Sequence, residues 1–171
     1  NVKIAALKVM NESGSGTWDA LTAGLDFCTL YAQPFNIKVM TMSLGGGGPY
    51  GKTASPCPNY SNKALLTAFK NGIFIDAASG NDGFNNGVNY PACATGVTSV
   101  GATDDISDTI ASFTNLGIDL DLLAPGQFIT APYLGGGFQT LQGTSMAAPH
   151  IAGVAALMYE LNPTLTPKVI E

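Results

Sequence analysis

Gly143-Thr144-Ser145-Met146-Ala147-Ala148-Pro149-His150-Ile151-Ala152-Gly153 decides how the rest of this chain is read. A glycine turn offers a hydroxyl and runs at once into small residues that predict a helix to about Leu161. A serine at a helix start is ordinarily an N-cap, its oxygen accepting a backbone N–H of the first turn. Here Met146 to Ala148 and Ala152 to Ala156 are nearly all small and apolar, so the helix can be buried on every side. Pro149 lies close enough to the start to be tolerated in the first turn. A buried helix that points its positive end at a hydroxyl suits a nucleophile whose reaction develops an oxyanion.

Working outward, Phe128 to Tyr133 and Phe138 to Leu141 read as a hairpin around Gly135-Gly136-Gly137 that delivers the chain to Gly143. At the other end, Val2 to Val9 is mostly apolar and predicts a buried strand. Ser13 to Gly16 is a loop, and Thr17 can cap a helix whose stripe is Trp18, Leu21, Leu25 and Cys28, running to about Ala32 and ended by Pro34. Ile37 to Leu44 is the next strand and breaks into Gly45-Gly46-Gly47-Gly48-Pro49. A helix from Ser61 carries Leu65, Leu66 and Phe69, with Gly72 as its C-cap. Ile73 to Ala78 is a short buried strand ending in Ser79-Gly80-Asn81-Asp82-Gly83, followed by a polar loop to Thr95 and a strand from Val97 to Ala102. Ile118 to Leu123 predicts a strand into the turn Ala124-Pro125-Gly126. Strand, helix, strand, helix, strand is the pattern of a parallel sheet, so the fold class is α/β, with functional loops at the carboxyl ends of the strands. No repeat or linker interrupts residues 1–171, which read as a single domain.

Composition narrows the function classes. The 171 residues are 46% hydrophobic and 11% charged, enough apolar material for one core. The net charge of −5 comes with seven lysines and no arginine, which leaves no basic patch for nucleic acid. No stretch approaches the roughly 18 apolar residues of a membrane helix, and Asn1-Val2-Lys3-Ile4 is not a signal peptide. An acidic, Gly- and Asn-rich surface suits a secreted protein. Cys57 and Cys93 sit in loops where a disulfide is expected, whereas Cys28 falls inside a helix and reads as a small buried hydrophobe. No Cys-x-x-Cys pair or His-rich tract suggests zinc.

Several motifs, in order, resemble the subtilisin-like serine proteases. The Gly143 to Gly153 string resembles that family's active-site serine signature. Leu7-Lys8-Val9 with Ser13 to Gly16, Met42-Ser43-Leu44-Gly45-Gly46, Ala77-Ala78-Ser79-Gly80-Asn81-Asp82-Gly83, Tyr90-Pro91-Ala92, Val100-Gly101-Ala102-Thr103-Asp104 and Ala124-Pro125-Gly126 also match, covering almost the whole chain. The resemblance implies a three-layer α/β/α fold with a mostly parallel sheet, and acyl transfer to water on a polypeptide substrate. Ser145 would attack, and Asn81 would donate its side-chain amide to the oxyanion with the Ser145 N–H as second donor. Ser43, Leu44, Gly45 and Gly46, facing Ala78, Ser79 and Gly80, would wall a cleft for an extended peptide and its bulky apolar side chain.

A serine nucleophile needs a base, and the base an orienting acid. The sole histidine, His150, lies five residues along the predicted helix, a rotation of about 140° and a rise of roughly 7.5 Å, so it points away from Ser145 and reads as a packing residue. The family's catalytic Asp and His belong to motifs N-terminal to this chain's start, and neither motif occurs here. The sequence therefore reads as the C-terminal portion of a catalytic domain, incomplete at both ends, whose partner is the N-terminal fragment supplying Asp and His. A propeptide or protein inhibitor is a further partner the family implies. The alternative is a catalytically degenerate module that binds peptides or serves as a scaffold. No cofactor is needed for the chemistry. Structural calcium is common in the family, and the loop Asn81 to Asn89 with the turn near Tyr90 offers oxygens, but no metal ligand set is legible.

Overall fold

The computed structural model describes residues 2–170. Thr17 has an extended backbone and its hydroxyl oxygen accepts the Ala20 N–H at 3.1 Å, so helix α1 (Trp18–Leu30) starts where a capping threonine permits. Leu21, Leu25 and Cys28 form its buried stripe. Helix α2 (Ala32–Phe35) contains Pro34 and stops at Asn36, whose φ of 51° is left-handed. Strand β1 (Val39–Met42) leads through Ser43 to Gly45 into β2 (Gly46–Tyr50). Then come α3 (Asn62–Lys70), β3 (Phe74–Ala78), β4 (Val88–Tyr90), β5 (Thr98–Asp104), β6 (Leu122–Gln127), β7 (Ile129–Pro132), β8 (Phe138–Leu141), α4 (Thr144–Leu161) and α5 (Pro167–Ile170).

A four-stranded sheet in the order β1-β3-β5-β6, parallel throughout, forms the middle layer. Helix α4 crosses all four strands on one face. Successive side chains of β3 divide the core as a strand must. Phe74 packs with Ala155 and Tyr159 of α4, whereas Ile75 and Ala77 join Leu21, Leu25, Leu65 and Ala68 of α1 and α3 on the other face. Covered on both faces, β3 is buried along its whole length, as parallel strands are. The register sets Thr41, Asp76 and Thr98 side by side on the α4 face. Beside the sheet, β2 and β4 pair antiparallel, and β7 and β8 form an exposed hairpin ending beside Gly143. Tyr90 at the end of β4 packs edge-on against Trp18 and Tyr60, and its hydroxyl accepts the buried Ser61 N–H at 2.7 Å. Cys57 and Cys93 are disulfide-bonded, and Cys28 is free and buried.

The structure corrects several expectations. Val2 to Val9 is not a strand: residues 2–8 are exposed, Ile4 at 90%, and the first backbone pairing is Met10 with Gly16. An apolar run becomes a strand only where a ladder partner and a covering layer meet it, and among the described residues neither does. Helix α1 stops at Leu30 rather than Ala32, and Pro34 sits inside α2 instead of terminating α1. Asn71 is the C-cap of α3, with Gly72 just beyond it at φ 84°. Residues 118–121 are not strand, and Ala124-Pro125-Gly126 lies within β6 rather than in a turn, because Ala102 and Thr103 of β5 pair with Ala124 and Pro125. The polar loop before Thr95 contains β4, and the glycines from Gly46 onward are the strand β2 that pairs with it.

Candidate functional site

Three chain segments meet at the carboxyl end of the sheet. From α4 comes Ser145, the second residue of a helix whose N-cap is Gly143. The first N–H groups of a helix have no intrahelical acceptor, so the Ser145 N–H is free to serve a ligand. Gly143 has φ 147° and is held by its own N–H, which donates to the Gly126 carbonyl at 2.8 Å. Pro149 falls in the second turn of α4, not the first, and His150 is exposed rather than packed. One His150 nitrogen, Nδ1, lies 2.8 Å from the Met146 carbonyl, one turn back on its own helix.

The second segment follows β3. Ala78 and Ser79 are buried, Gly80 has φ 110°, and Asn81 is exposed at the turn. Thr144 fixes the Asn81 side chain: the amide oxygen accepts the Thr144 N–H at 2.8 Å and the Thr144 hydroxyl at 2.9 Å. The same hydroxyl accepts the Gly80 N–H at 3.2 Å. With both donors committed to Oδ1, Nδ2 is turned the other way. A Cβ built on Gly143 would stand 3.3 Å from Asn81 Nδ2 and 3.7 Å from the Ser145 nitrogen. Two N–H donors therefore converge on one small volume in front of Gly143, at the positive end of an 18-residue helix. Such a volume accommodates an oxygen that is gaining negative charge.

The third segment is the wall after β1. Ser43 and Ser145 bond reciprocally: Ser43 Oγ donates to the Ser145 carbonyl at 2.6 Å, and Ser145 Oγ donates to the Ser43 carbonyl at 3.2 Å. Leu44 is half-buried, Gly45 is exposed, and Gly46 opens β2. Facing them are Ala78, Ser79 and Gly80, and between the two walls stands Asn89 of β4. A Cβ on Gly48 would come within 2.6 Å of Asn89 Oδ1, and one on Gly80 within 2.5 Å of Asn89 Nδ2. Gly80 of one wall and Gly48 of β2 are glycine where Asn89 approaches, since a Cβ at either would collide with its amide. Beside Leu44 and Gly45 a cavity of about 260 Å³ continues between the loop Gly14 to Gly16 and the side chains of Trp18 and Leu21.

The sequence named Ser145, Asn81 and both walls as candidates, and the fold brings these residues together. The sequence did not single out Thr144, Asn89 or the cavity beside Trp18. Thr144 could have been suspected, since it precedes the serine in the opening string. Trp18 and Leu21 carried only a helix-stripe signal, and Asn89 only a loop signal. In the loop 81–89, Asp82 Oδ2 and Asn89 Oδ1 accept hydrogen bonds from side-chain amides. Among the described residues no three His, Cys, Asp or Glu side chains cluster together. Asp76, under α4, is the one strongly perturbed carboxyl: burial pushes it up to about 7, opposed by the Thr41 hydroxyl, which donates to it at 2.6 Å.

Known proteins resemble this chain in sequence and fold. Residues 1–171 match the model of the Subtilase family throughout. Subtilisin DY of Bacillus licheniformis is 40% identical over 169 residues, 97% of this chain and 57% of that protein. The subtilisin-like serine protease Pen c 1 of Penicillium citrinum is 43% identical over 161 residues, 92% of this chain and 38% of that protein. A solved structure described as a cold adapted subtilisin-like serine proteinase superposes with a TM-score of 0.81 at 36% identity, covering 95% of this chain and 55% of that one. The chain thus spans about half the length, or less, of the relatives it matches. With matched order, matched fold and a match along its whole length, the chain belongs to the subtilase family.

Proposed function

We propose that the chain carries the nucleophile and the oxyanion-binding half of a secreted serine endopeptidase, and that the catalytic Asp and His come from an N-terminal segment of the same protease. The observation that carries this reading is the convergence of Asn81 Nδ2 and the Ser145 N–H beside the Ser145 hydroxyl, with Thr144 fixing the Asn81 amide. In the reaction Ser145 Oγ attacks the carbonyl carbon of the scissile peptide as the base takes its proton. The carbonyl oxygen becomes an oxyanion held by the two N–H donors. Collapse expels the amine, which receives the proton, and water then attacks the acyl-enzyme by the same route. The substrate lies extended between the Ser43 to Gly46 and Ala78 to Gly80 walls. Secretion is supported by the Cys57–Cys93 disulfide, a bond that persists in oxidising compartments.

Ser145 Oγ now donates to a carbonyl, which accepts a hydrogen bond but cannot remove the proton. Isolated, the chain is therefore expected to be nearly inert. The test pairs it with the N-terminal part of subtilisin DY that lies outside the matched region. A serine-directed phosphonate should label Ser145 in the pair and not in the chain alone, as read by intact mass and peptide mapping. Peptide hydrolysis by the isolated chain, abolished by His150→Ala, would overturn the reading. Peptide binding at the cleft with no acylation in any pairing would favour a binding module.

A further inference from the structure

One buried side chain outside the walls and the nucleophile is bonded more fully than packing requires. The segment from Phe113 to Leu116 runs along the loop that carries Asn81: Gly83 N–H donates to the Phe113 carbonyl at 2.9 Å, Asn115 N–H to Gly80 at 3.0 Å and Leu116 N–H to Phe84 at 2.6 Å. The Asn115 side chain is fully buried. Its oxygen accepts the N–H of Asp82 at 2.9 Å and of Phe84 at 3.1 Å. Its nitrogen donates to the Ser79 carbonyl at 3.2 Å, to Asp82 Oδ2 at 3.1 Å and to Asn89 Oδ1 at 3.1 Å. Asn89 Nδ2 completes the ring by donating to Asp82 Oδ2 at 3.0 Å.

We propose that Asn115 is a positioning residue for the oxyanion donor. Its side-chain nitrogen donates to the Ser79 carbonyl before Asn81 and its oxygen accepts the Asp82 N–H after it, so one planar amide brackets the donor's backbone on both sides, while the bond to Gly80 comes from the Asn115 backbone. Thr144 sets which way the Asn81 amide is turned, and Asn115 sets where its Cα stands. The two tasks fall to different bonds: Thr144 holds the Asn81 amide oxygen, the Asn115 side chain holds Ser79 and Asp82 on either side of it, and the two residues meet only at the Gly80 backbone. Oxyanion donors act within about 2.7–3.1 Å of the charge they stabilise, and a misplacement of about 1 Å costs roughly a hundredfold. An amide supplies acceptor and donor at the two ends of one plane whatever the pH, which serine or leucine at this position could not do. The floor of the cleft is tied into the same plane through Asn89, so the inference rests on the proposed endopeptidase reading for its catalytic consequence and on geometry alone for the bracket.

Asn115→Ala removes the bracket. Asn115→Asp is near-isosteric and keeps the accepting oxygen, but turns a second oxygen toward the Asp82 carboxylate, the Ser79 carbonyl and Asn89 Oδ1. Of the hydrogen-bond partners only Asp82 titrates. When both carboxyls are ionised they repel, and when one is protonated it can donate to the other. In the chain paired with the subtilisin DY segment, phosphonate labelling of Ser145 should slow at least tenfold in both variants at pH 8. The Asn115→Asp deficit, relative to the unaltered chain, should shrink as the pH falls to 6. In the 171-residue chain by itself, NMR signals of the Asn81 side-chain amide and the Thr144 N–H should move in both variants. They should stay in place in Leu65→Ala, a core truncation far from the loop. Unmoved Asn81 and Thr144 signals in Asn115→Asp would overturn the proposal, as would labelling at the unaltered rate in a merely less stable variant. Failure of the unaltered pair to label at all would count against the endopeptidase reading, with the NMR comparison still deciding the bracket.

Discussion

Asp76→Asn should stabilise this chain at alkaline pH and flatten its pH dependence, although it replaces a buried, hydrogen-bonded group. Asp76 has no exposed surface, one oxygen accepting from Thr41, and a second oxygen, Oδ2, buried without a partner. Burial raises its pKa from 3.8 to about 7. A carboxyl raised on folding contributes most when it is protonated in the fold, so its contribution is fully present below about pH 4. That contribution is lost as the pH climbs to about 7, where the folded protein must ionise it under α4. A gap of about three pH units, at roughly 1.4 kcal/mol each, comes to about 4 kcal/mol across that window. Asparagine keeps the acceptor for Thr41 and cannot ionise. Its amide nitrogen takes the place of an oxygen that already lacks a partner, so little new desolvation is added. Urea unfolding of both proteins at pH 5, 6, 7 and 8 measures the difference directly, and other titrating groups cancel in the comparison. The variant's advantage should grow by some kcal/mol between pH 5 and 8. A difference that is the same at every pH, or that favours aspartate at pH 8, would refute the account of Asp76 as a neutral acid.

Asn81→Ala in the paired enzyme should slow labelling of Ser145 by about 10²–10³, a range measured for the loss of such a donor in subtilisin itself and taken over from it. Thr144→Ala, which leaves Nδ2 present but unoriented, should cost less, about tenfold, and a larger loss than Asn81→Ala would show that Thr144 does more than orient. Tyr90→Phe strands the buried Ser61 N–H that the phenol oxygen accepts, and should cost about 1–3 kcal/mol in urea titrations with the aromatic packing intact. Reducing the Cys57–Cys93 bond, or replacing both cysteines by serine, opens a loop of 36 residues and should lower stability by about 2–4 kcal/mol, checked by thermal melts with and without reductant.

What was legible in the sequence follows from how local each signal is. The α1 start was readable because Thr17 caps it through its own side chain, and β3 because an apolar run broken only by Asp76 between Gly72 and Ser79 has few other solutions. Ser145 and Asn81 were readable as parts of strings whose order matched a family. Val2 to Val9 misled because strand formation belongs to the partner as much as to the segment. The β2–β4 pairing was hidden because a glycine run has no side-chain alternation to read, and its register depends on Val88 and Tyr90, far along the chain. Asn115 was invisible for a similar reason: its importance lies in five groups on two other stretches of chain, Ser79 to Phe84 and Asn89, and its own neighbours carry no motif. Asp76 stood out only as a charge in an apolar strand, and the register with Thr41 gives it meaning.

Pro149 shows how the site is held together. A proline inside a helix forfeits the hydrogen bond to the carbonyl four residues back and ordinarily costs about 3 kcal/mol. Four residues before Pro149 stands Ser145, the proposed nucleophile, so the freed carbonyl is its own. It is not left empty, because the Ser43 hydroxyl donates to it at 2.6 Å. The proline thus turns a bond within the helix into one between the nucleophile's backbone and the wall of the cleft. The reciprocal bond, from Ser145 Oγ to the Ser43 carbonyl, is longer at 3.2 Å. A base that draws the hydroxyl away breaks only this longer bond, and the shorter one keeps the Ser145 backbone, with its N–H, aimed at the volume it shares with Asn81 Nδ2. Under the proposed mechanism the serine can therefore exchange its present acceptor for a base while the two N–H donors stay where they are.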